Sequence, residues 1–315
     1  MKKVRIAVLG ASSHIAKGLI YNFLQGRGFS LCLYTRFPDK VRLFLAALGK
    51  TAKNSYIISK GYKNFTKLPY DIIINCVGVG TLSKLQGDFS KYFTVTEEYD
   101  NLAINYLRNS RPGALYLSLS SGAVYGREFL RPARKDTINK IWVNHICPED
   151  YYGIVRVNSE AKHRAFKHLR IIDLRLFSYF SRFVDLSDGY FITEIIDCIL
   201  KNRVFKTDSA NIVRDYLHPK DLFSMVIKCM NAAKINGAFD VISSRPVGKR
   251  EILDYFSSRY GLKYKVIPNL KHDSATGGKN AYYSRYLNAA RIGYKPLFSS
   301  IDTIKQETEY ILKPE

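Results

Sequence analysis

A chain of 315 residues with 46% apolar and 24% charged residues has the make-up of a globular protein, long enough for one large domain or two modest ones. It contains no run of about 18 apolar residues, so no membrane span is expected. The net charge of +22 invites a nucleic-acid reading, but the basic residues spread from Lys2 to Lys313 without a dense arm or a recognisable module. Nucleic acid is therefore not the expected partner; the charge suits a solvated surface that attracts anionic substrates or an anionic membrane face.

The first apolar run, Val4, Ile6, Val8 and Leu9, is nearly continuous, as in a strand buried on both faces. Gly10, Ala11, Ser12, Ser13 and His14 follow, and Ile15, Leu19 and Ile20 then recur at helical spacing. A strand, a glycine turn and a helix opening on small residues make a phosphate cradle, because the first N–H groups of the helix point at the anion. Gly10, Ser12, Ser13, His14 and Ile15 are its candidate contacts. A full dinucleotide fingerprint wants glycine at positions 10, 13 and 16, and here Ser13 and Ala16 replace the second and third. An ordinary buried strand–turn–helix would show the same pattern. Phe29 to Arg36 reads as a second buried strand. An acid near its end would bond a ribose 2′-hydroxyl, whereas an arginine accommodates a 2′-phosphate. Arg36, with Thr35 and Ser12 close by, favours NADP, with NAD as the alternative.

Val41 to Leu48 suits a second helix and Tyr56 to Ile58 a short third strand. Tyr70 to Gly78 is a strongly apolar fourth strand. Its end, with Asn75, Val77 and Gly78, is small enough for close backbone approach to a ligand. Residues 95–108 read as helix, Pro112-Gly113 breaks the chain, and Ala114 to Ser121 forms a fifth strand. Strands alternating with helices at this spacing predict a parallel sheet covered on both faces. Cys32, Cys76, Cys147, Cys198 and Cys229 are odd in number and form no CxxC pair; no metal site is expected. The first strand starts so close to Met1 that no signal peptide fits, and a reducing, cytoplasmic location is expected.

The fifth strand runs into SLSSGAVYG, Ser118 to Gly126, and YYGIVRVNSEAKHR follows at Tyr151 to Arg164. Through these stretches the chain resembles the extended short-chain dehydrogenase/reductase family of nucleotide-sugar epimerases, dehydratases and reductases. The family's serine or threonine before its VYG element falls at Ser121, and its catalytic tyrosine at Tyr152. The lysine expected four residues later is Arg156, and Glu160 stands where the family often has an acid. Ile171 to Phe177 resembles the sixth strand, with Ser178 where many members place an asparagine on the sugar nucleotide. Arg214-Asp-Tyr-Leu-His-Pro-Lys-Asp-Leu222 matches the family's RDFIHVDDL element, which would set Arg214 by the nucleotide's ribose or phosphates. Gly237 to Leu253 and Ala290 to Pro296 resemble the later GxxFNVGSG and LGWxP elements. An arginine that many members carry before the last segment has no clear equivalent, and Lys271, His272 and Lys279 are its candidates.

The resemblance implies an α/β fold, a Rossmann-type doubly wound parallel sheet with a smaller C-terminal α/β substrate-binding domain. Residues 1–178 would bind NADP and residues 179–315 the substrate, with the chain crossing back to the sheet near 207–245. It implies an NADP-dependent oxidoreductase on a nucleotide-linked sugar, and Arg36 points to reduction of an NDP-4-keto-6-deoxyhexose for surface polysaccharide. A 4-epimerase, or a catalytically impaired NADP-binding regulator, are the alternatives. Catalysis would fall to Tyr152, Ser121 and Arg156. The cofactor would be held by Gly10, Ser12, Ser13, His14, Ile15, Arg36, Asn75, Val77, Gly78, Tyr152 and Arg156. Ser121, Ser178 and Arg214 would hold the substrate. A phenol ionises near pH 10 unless a cation lies beside it; Arg156 supplies one but does not readily lose its own proton. Many members are homodimers through a helix pair. Histidines such as His145 and His163 are given no catalytic role.

Overall fold

The computed structural model describes residues 3–49, 55–79, 85–233, 235–268 and 280–312, so Lys271, His272 and Lys279 lie outside the described residues. The first unit comprises β1 (Val4–Leu9), α1 (His14–Gln25), β2 (Phe29–Thr35), α2 (Pro38–Ala47), β3 (Ser55–Lys60) and β4 (Ile72–Asn75). The second continues with α3 (Lys91–Asn109), β5 (Leu115–Ser121), α4 (Pro148–Ala165) and β6 (Arg170–Leu176). Then come β7 (Ser178–Tyr179), α5 (Phe191–Leu200), β8 (Phe205–Thr207), β9 (Val213–Arg214), β10 (Tyr216–Leu217) and α6 (Pro219–Asn231). The chain ends with β11 (Gly237–Val241), β12 (Val247–Gly248), α7 (Lys249–Tyr260), β13 (Tyr264–Val266), β14 (Ala281–Tyr282) and α8 (Ser300–Leu312).

Seven strands form one sheet in the order β11-β6-β5-β4-β1-β2-β3, parallel at every pairing. This is the doubly wound arrangement that the alternation of strands and helices predicts. One apolar layer packs Leu19, Ile20 and Phe23 of α1, Val41 and Phe44 of α2 and Leu222, Met225 and Val226 of α6 on one face. On the other face Ala103, Ile104 and Leu107 of α3 meet Ile73, Tyr116 and Ile171. A separate apolar cluster joins α5, α7 and α8 through Ile195, Ile196, Leu253, Phe256 and Ile304, making the smaller C-terminal lobe. The chain returns from this lobe to the main layers at α6 and β11. Helix α3 runs longer than its predicted 95–108: its first turn packs the buried Tyr92 and the half-buried Phe93 against Tyr152 and Tyr151 of α4.

The strand order reverses between β1 and β4, from which successive strands progress in opposite directions. A ligand crevice is expected outside the carboxyl ends of such a pair. Gly10 turns the chain there with φ of +71°, the left-handed region that favours glycine, and a Cβ would lie 3.0 Å from the backbone carbon and oxygen of Cys76. The Cys76 N–H in turn donates to the Leu9 carbonyl at 3.0 Å, holding the two strand ends together. The Ser13 hydroxyl caps α1 by accepting from the Ala16 N–H at 3.3 Å.

Candidate active site

A cleft of about 1680 Å³ opens at this reversal, between the sheet and the C-terminal lobe. Single-ligand pockets run to roughly 1,000 Å³, so the cleft has room for two molecules. Gly10, Ser12, Ser13, His14, Ile15, Arg36, Val77 and Gly78 all line it, as do Ser121, Tyr152, Arg156, Ser178 and Arg214. Asn75 is placed otherwise. Side chains alternate along β4, so Asn75 shares the face of Ile73 rather than the cleft. There its amide donates to the Tyr116 hydroxyl at 3.0 Å and its carbonyl accepts from the Val77 N–H at 3.0 Å. Asn75 thus shapes the turn that presents Val77 and Gly78, and its side chain is not a lining group.

At the β1 end, the Gly10 N–H donates to the Tyr62 hydroxyl at 3.2 Å, and the Thr35 hydroxyl donates to that of Ser12 at 3.2 Å. Tyr62 carries no sequence signal, since the contact spans 52 residues. Burial pushes its phenol up to about 12, so it stays a neutral donor and acceptor. The His14 ring meets the Ser181 hydroxyl at 2.8 Å through Nε2. Arg36 and Lys40 both stand over the Phe37 ring, 5.7 and 5.3 Å from its centre, and both border the cleft with Lys17. Burial lowers the pKa of Lys17. A cluster of cations therefore rims the end of β2.

At the β5 end, the Arg156 guanidinium carbon lies 5.1 Å from the centre of the Tyr152 ring, one turn back on α4. Its Nη1 donates to the Leu119 carbonyl at 3.2 Å, and a Cβ on Gly78 would sit 3.0 Å from its Nη2. Arg156 is buried, and its Nε has no hydrogen-bond partner among the described residues. The Ser121 hydroxyl accepts from the Ala123 N–H at 3.2 Å and meets the Tyr282 hydroxyl at 2.9 Å. Burial raises the pKa of Tyr282 well above the ordinary phenol value, which keeps it protonated. Tyr282 is 161 residues from Ser121 in sequence and gives no local signal of this role. It stands beside Arg214, its register partner across β14 and β9. Arg214 is buried and donates through Nη1 to the Val213 carbonyl at 3.1 Å. Lys249 also reaches the cleft, held by the Asp208 carboxylate at 2.8 Å.

Two buried ionic clusters fix this geometry. Glu160, on α4 beyond Tyr152 and Arg156, accepts from the Ser120 hydroxyl at 2.7 Å and from Arg175 Nη2 at 2.6 Å. Arg175 Nη1 also reaches the Tyr125 hydroxyl at 2.9 Å and Asp240 at 3.4 Å. Deeper in the α3–α4 layer, His163 lies between Asp173 at 2.8 Å and Asp100 at 2.6 Å. Burial opposes a charged ring there, but the two carboxylates outweigh it and carry His163 up to about 9. It is a charged, wholly buried brace.

The features that a dinucleotide demands are present in these residues: a cradle at Gly10 that a side chain would fill, a close backbone approach at Gly78 and a buried guanidinium nitrogen without a partner among the described residues. A sheet, crevice and side-chain set of this kind define a nucleotide-binding α/β protein. The family model for the NAD dependent epimerase/dehydratase family matches residues 38–241, and the chain belongs to that family. The matched region begins after the Gly10 turn, where Ser13 and Ala16 depart from the glycine pattern. No curated protein matches the sequence. Among solved structures, a UDP-glucuronic acid 4-epimerase from Bacillus cereus, in complex with UDP-glucuronic acid and NAD, is similar with a TM-score of 0.80 and 15% identity over 99% of this chain and 100% of that one. A UDP-glucose 4-epimerase from Thermotoga maritima with UDP-glucose superposes with a TM-score of 0.81 and 14% identity, covering 98% of this chain and 99% of that one. A UDP-N-acetylglucosamine 4-epimerase from Methanobrevibacter ruminantium in complex with UDP-N-acetylmuramic acid gives 0.78 and 14%, covering both chains in full at 100%. At these identities the likeness is one of fold.

Proposed function

We propose that the chain is an NADP-dependent oxidoreductase acting on a nucleotide-linked sugar, and that it reduces a 4-keto-6-deoxyhexose carried on a nucleoside diphosphate. The observation that carries this reading is the pairing of Tyr152 with Arg156 across the cleft from the Gly10 turn. The bound nicotinamide would supply or accept a hydride. Tyr152, with the Arg156 guanidinium over its ring, would exchange a proton with the sugar oxygen. Ser121 would hold the same oxygen. The Ala123 N–H fills one of its lone pairs, and where the Tyr282 hydroxyl donates into the other the serine's own proton is left for the substrate. Arg214 would face the diphosphate, and Ser178 the sugar nucleotide.

Arg36, Lys40 and Lys17 around the end of β2 favour a 2′-phosphate, hence NADP over NAD, and NADPH is suited to net reduction. The fold shared with 4-epimerases supports a second reading, epimerisation at C4, in which the cofactor is regenerated within each turnover. Incubation with NADPH and a panel of nucleotide-linked 4-keto sugars separates them. Reduction consumes one NADPH per product, whereas interconversion of C4 epimers without net NADPH loss would replace the first reading with the second.

A further inference from the structure

The segment 126–147 joins β5 to α4 and runs along one rim of the cleft, to which Leu130 and Ile141 contribute. It exposes several large apolar side chains: Ile138 is 76% exposed, Trp142 71% and Val143 78%, with Leu130 at 75%. Single exposed apolar residues need no explanation, but Ile138, Ile141, Trp142, Val143 and Ile146 are all exposed along one short stretch, and such a concentration marks an interaction surface. Among them stand Arg131, Arg134, Lys135 and Lys140, all exposed, against one acid, Asp136, between Phe129 and Cys147. We propose that this segment seats the protein on an anionic lipid surface, with Ile138, Trp142 and Val143 entering the headgroup boundary and the four cations meeting the lipid phosphates.

Charge decides among the possible occupants. A second copy of the chain would bring the same cations and a further net charge of +22 to the contact, so like charges would oppose it. A negatively charged bilayer satisfies both components at once, since apolar burial and attraction to anionic headgroups add. Trp142 suits that boundary, with an apolar ring and an N–H that stays wet. Among the described residues no helix is long and apolar enough to cross a membrane, so the contact is peripheral. Seated in this way, the cleft's rim would lie at the lipid surface. The proposal rests on the loop and not on the chemistry assigned to the cleft.

Trp142 is the chain's one tryptophan, so its fluorescence reports this site alone. The full chain is mixed with vesicles of phosphatidylcholine alone or with phosphatidylglycerol, and no substrate is needed. Phosphatidylglycerol vesicles should sediment the protein, shift Trp142 emission to the blue and lose roughly tenfold or more in affinity at high salt. Brominated acyl chains should quench Trp142 in the unaltered protein. The double variant Ile138→Ser/Val143→Ser, which keeps the reporter, should bind roughly tenfold more weakly, while its far-ultraviolet circular dichroism stays as in the wild type. Trp142 emission unmoved by anionic vesicles at low salt would overturn the proposal, as would unimpaired binding by the double variant. A dimer that the double variant abolishes, without vesicle binding, would assign the surface to a second copy instead.

Discussion

Replacing Glu160 with glutamine tests whether the ionic cluster behind β5 holds the candidate site together. The carboxylate takes three contacts from Arg175, between 2.6 and 3.1 Å, and one from the Ser120 hydroxyl. Glutamine has nearly the same shape, but it carries no charge and turns one amide donor toward the guanidinium. Arg175 is then left with Asp240 at 3.4 Å and the Tyr125 hydroxyl. Removing one partner of a buried ion pair costs about 3–5 kcal/mol, and the surviving acid puts the expected loss at the low end, about 3 kcal/mol. For a chain of this size that lowers Tm by on the order of 6 °C. Because Glu160 ties α4 to β5, its loss should also loosen Tyr152 and Arg156 against Ser121 and cut turnover roughly ten- to a hundredfold. Differential scanning calorimetry and steady-state assays check both. A Tm within about 1 °C of the wild type would refute the reasoning about the buried pair.

Other consequences are as direct. His163 holds its proton more tightly folded than free, so its stabilisation is complete below about pH 6.5 and is lost as pH rises to about 9. Denaturant titrations should show stability falling by about 3 kcal/mol across that window, and His163→Gln should flatten the fall. Arg36→Asp should weaken NADPH binding roughly tenfold or more and improve NADH binding, measured by titrating cofactor fluorescence; unchanged selectivity would remove Arg36 from the 2′-phosphate. Tyr282→Phe removes the hydroxyl that meets Ser121 and should lower kcat/KM about tenfold, the worth of one hydrogen bond, while the fold is kept.

The sheet was legible because buried parallel strands write continuous apolar runs, and β1, β2, β4 and β5 all do. The edge strand β3 was harder to bound: Tyr56 and Ile57 are exposed there, so the pattern weakens. The resemblance set Ser121, Tyr152 and Arg156 in chain order, and the fold brings all three to one cleft. What escaped was non-local. Tyr62 reaches Gly10, Tyr282 reaches Ser121 and Arg175 reaches Glu160 only once the layers have packed, and no spacing encodes such a meeting. Asn75 shows the complementary failure, because one residue of strand parity decides whether a polar side chain faces ligand or core.

Turnover and cofactor binding measured together on Tyr152→Phe decide the matter most directly. The phenyl ring keeps the stack on Arg156 and lacks only the hydroxyl, so NADPH affinity should stay within about threefold of the wild type while kcat falls by roughly 10²–10⁴. A variant that turns over nucleotide-linked sugars as fast as the wild type would contradict the role given to Tyr152, and a wild-type chain that binds no nicotinamide cofactor would contradict the whole reading of the cleft.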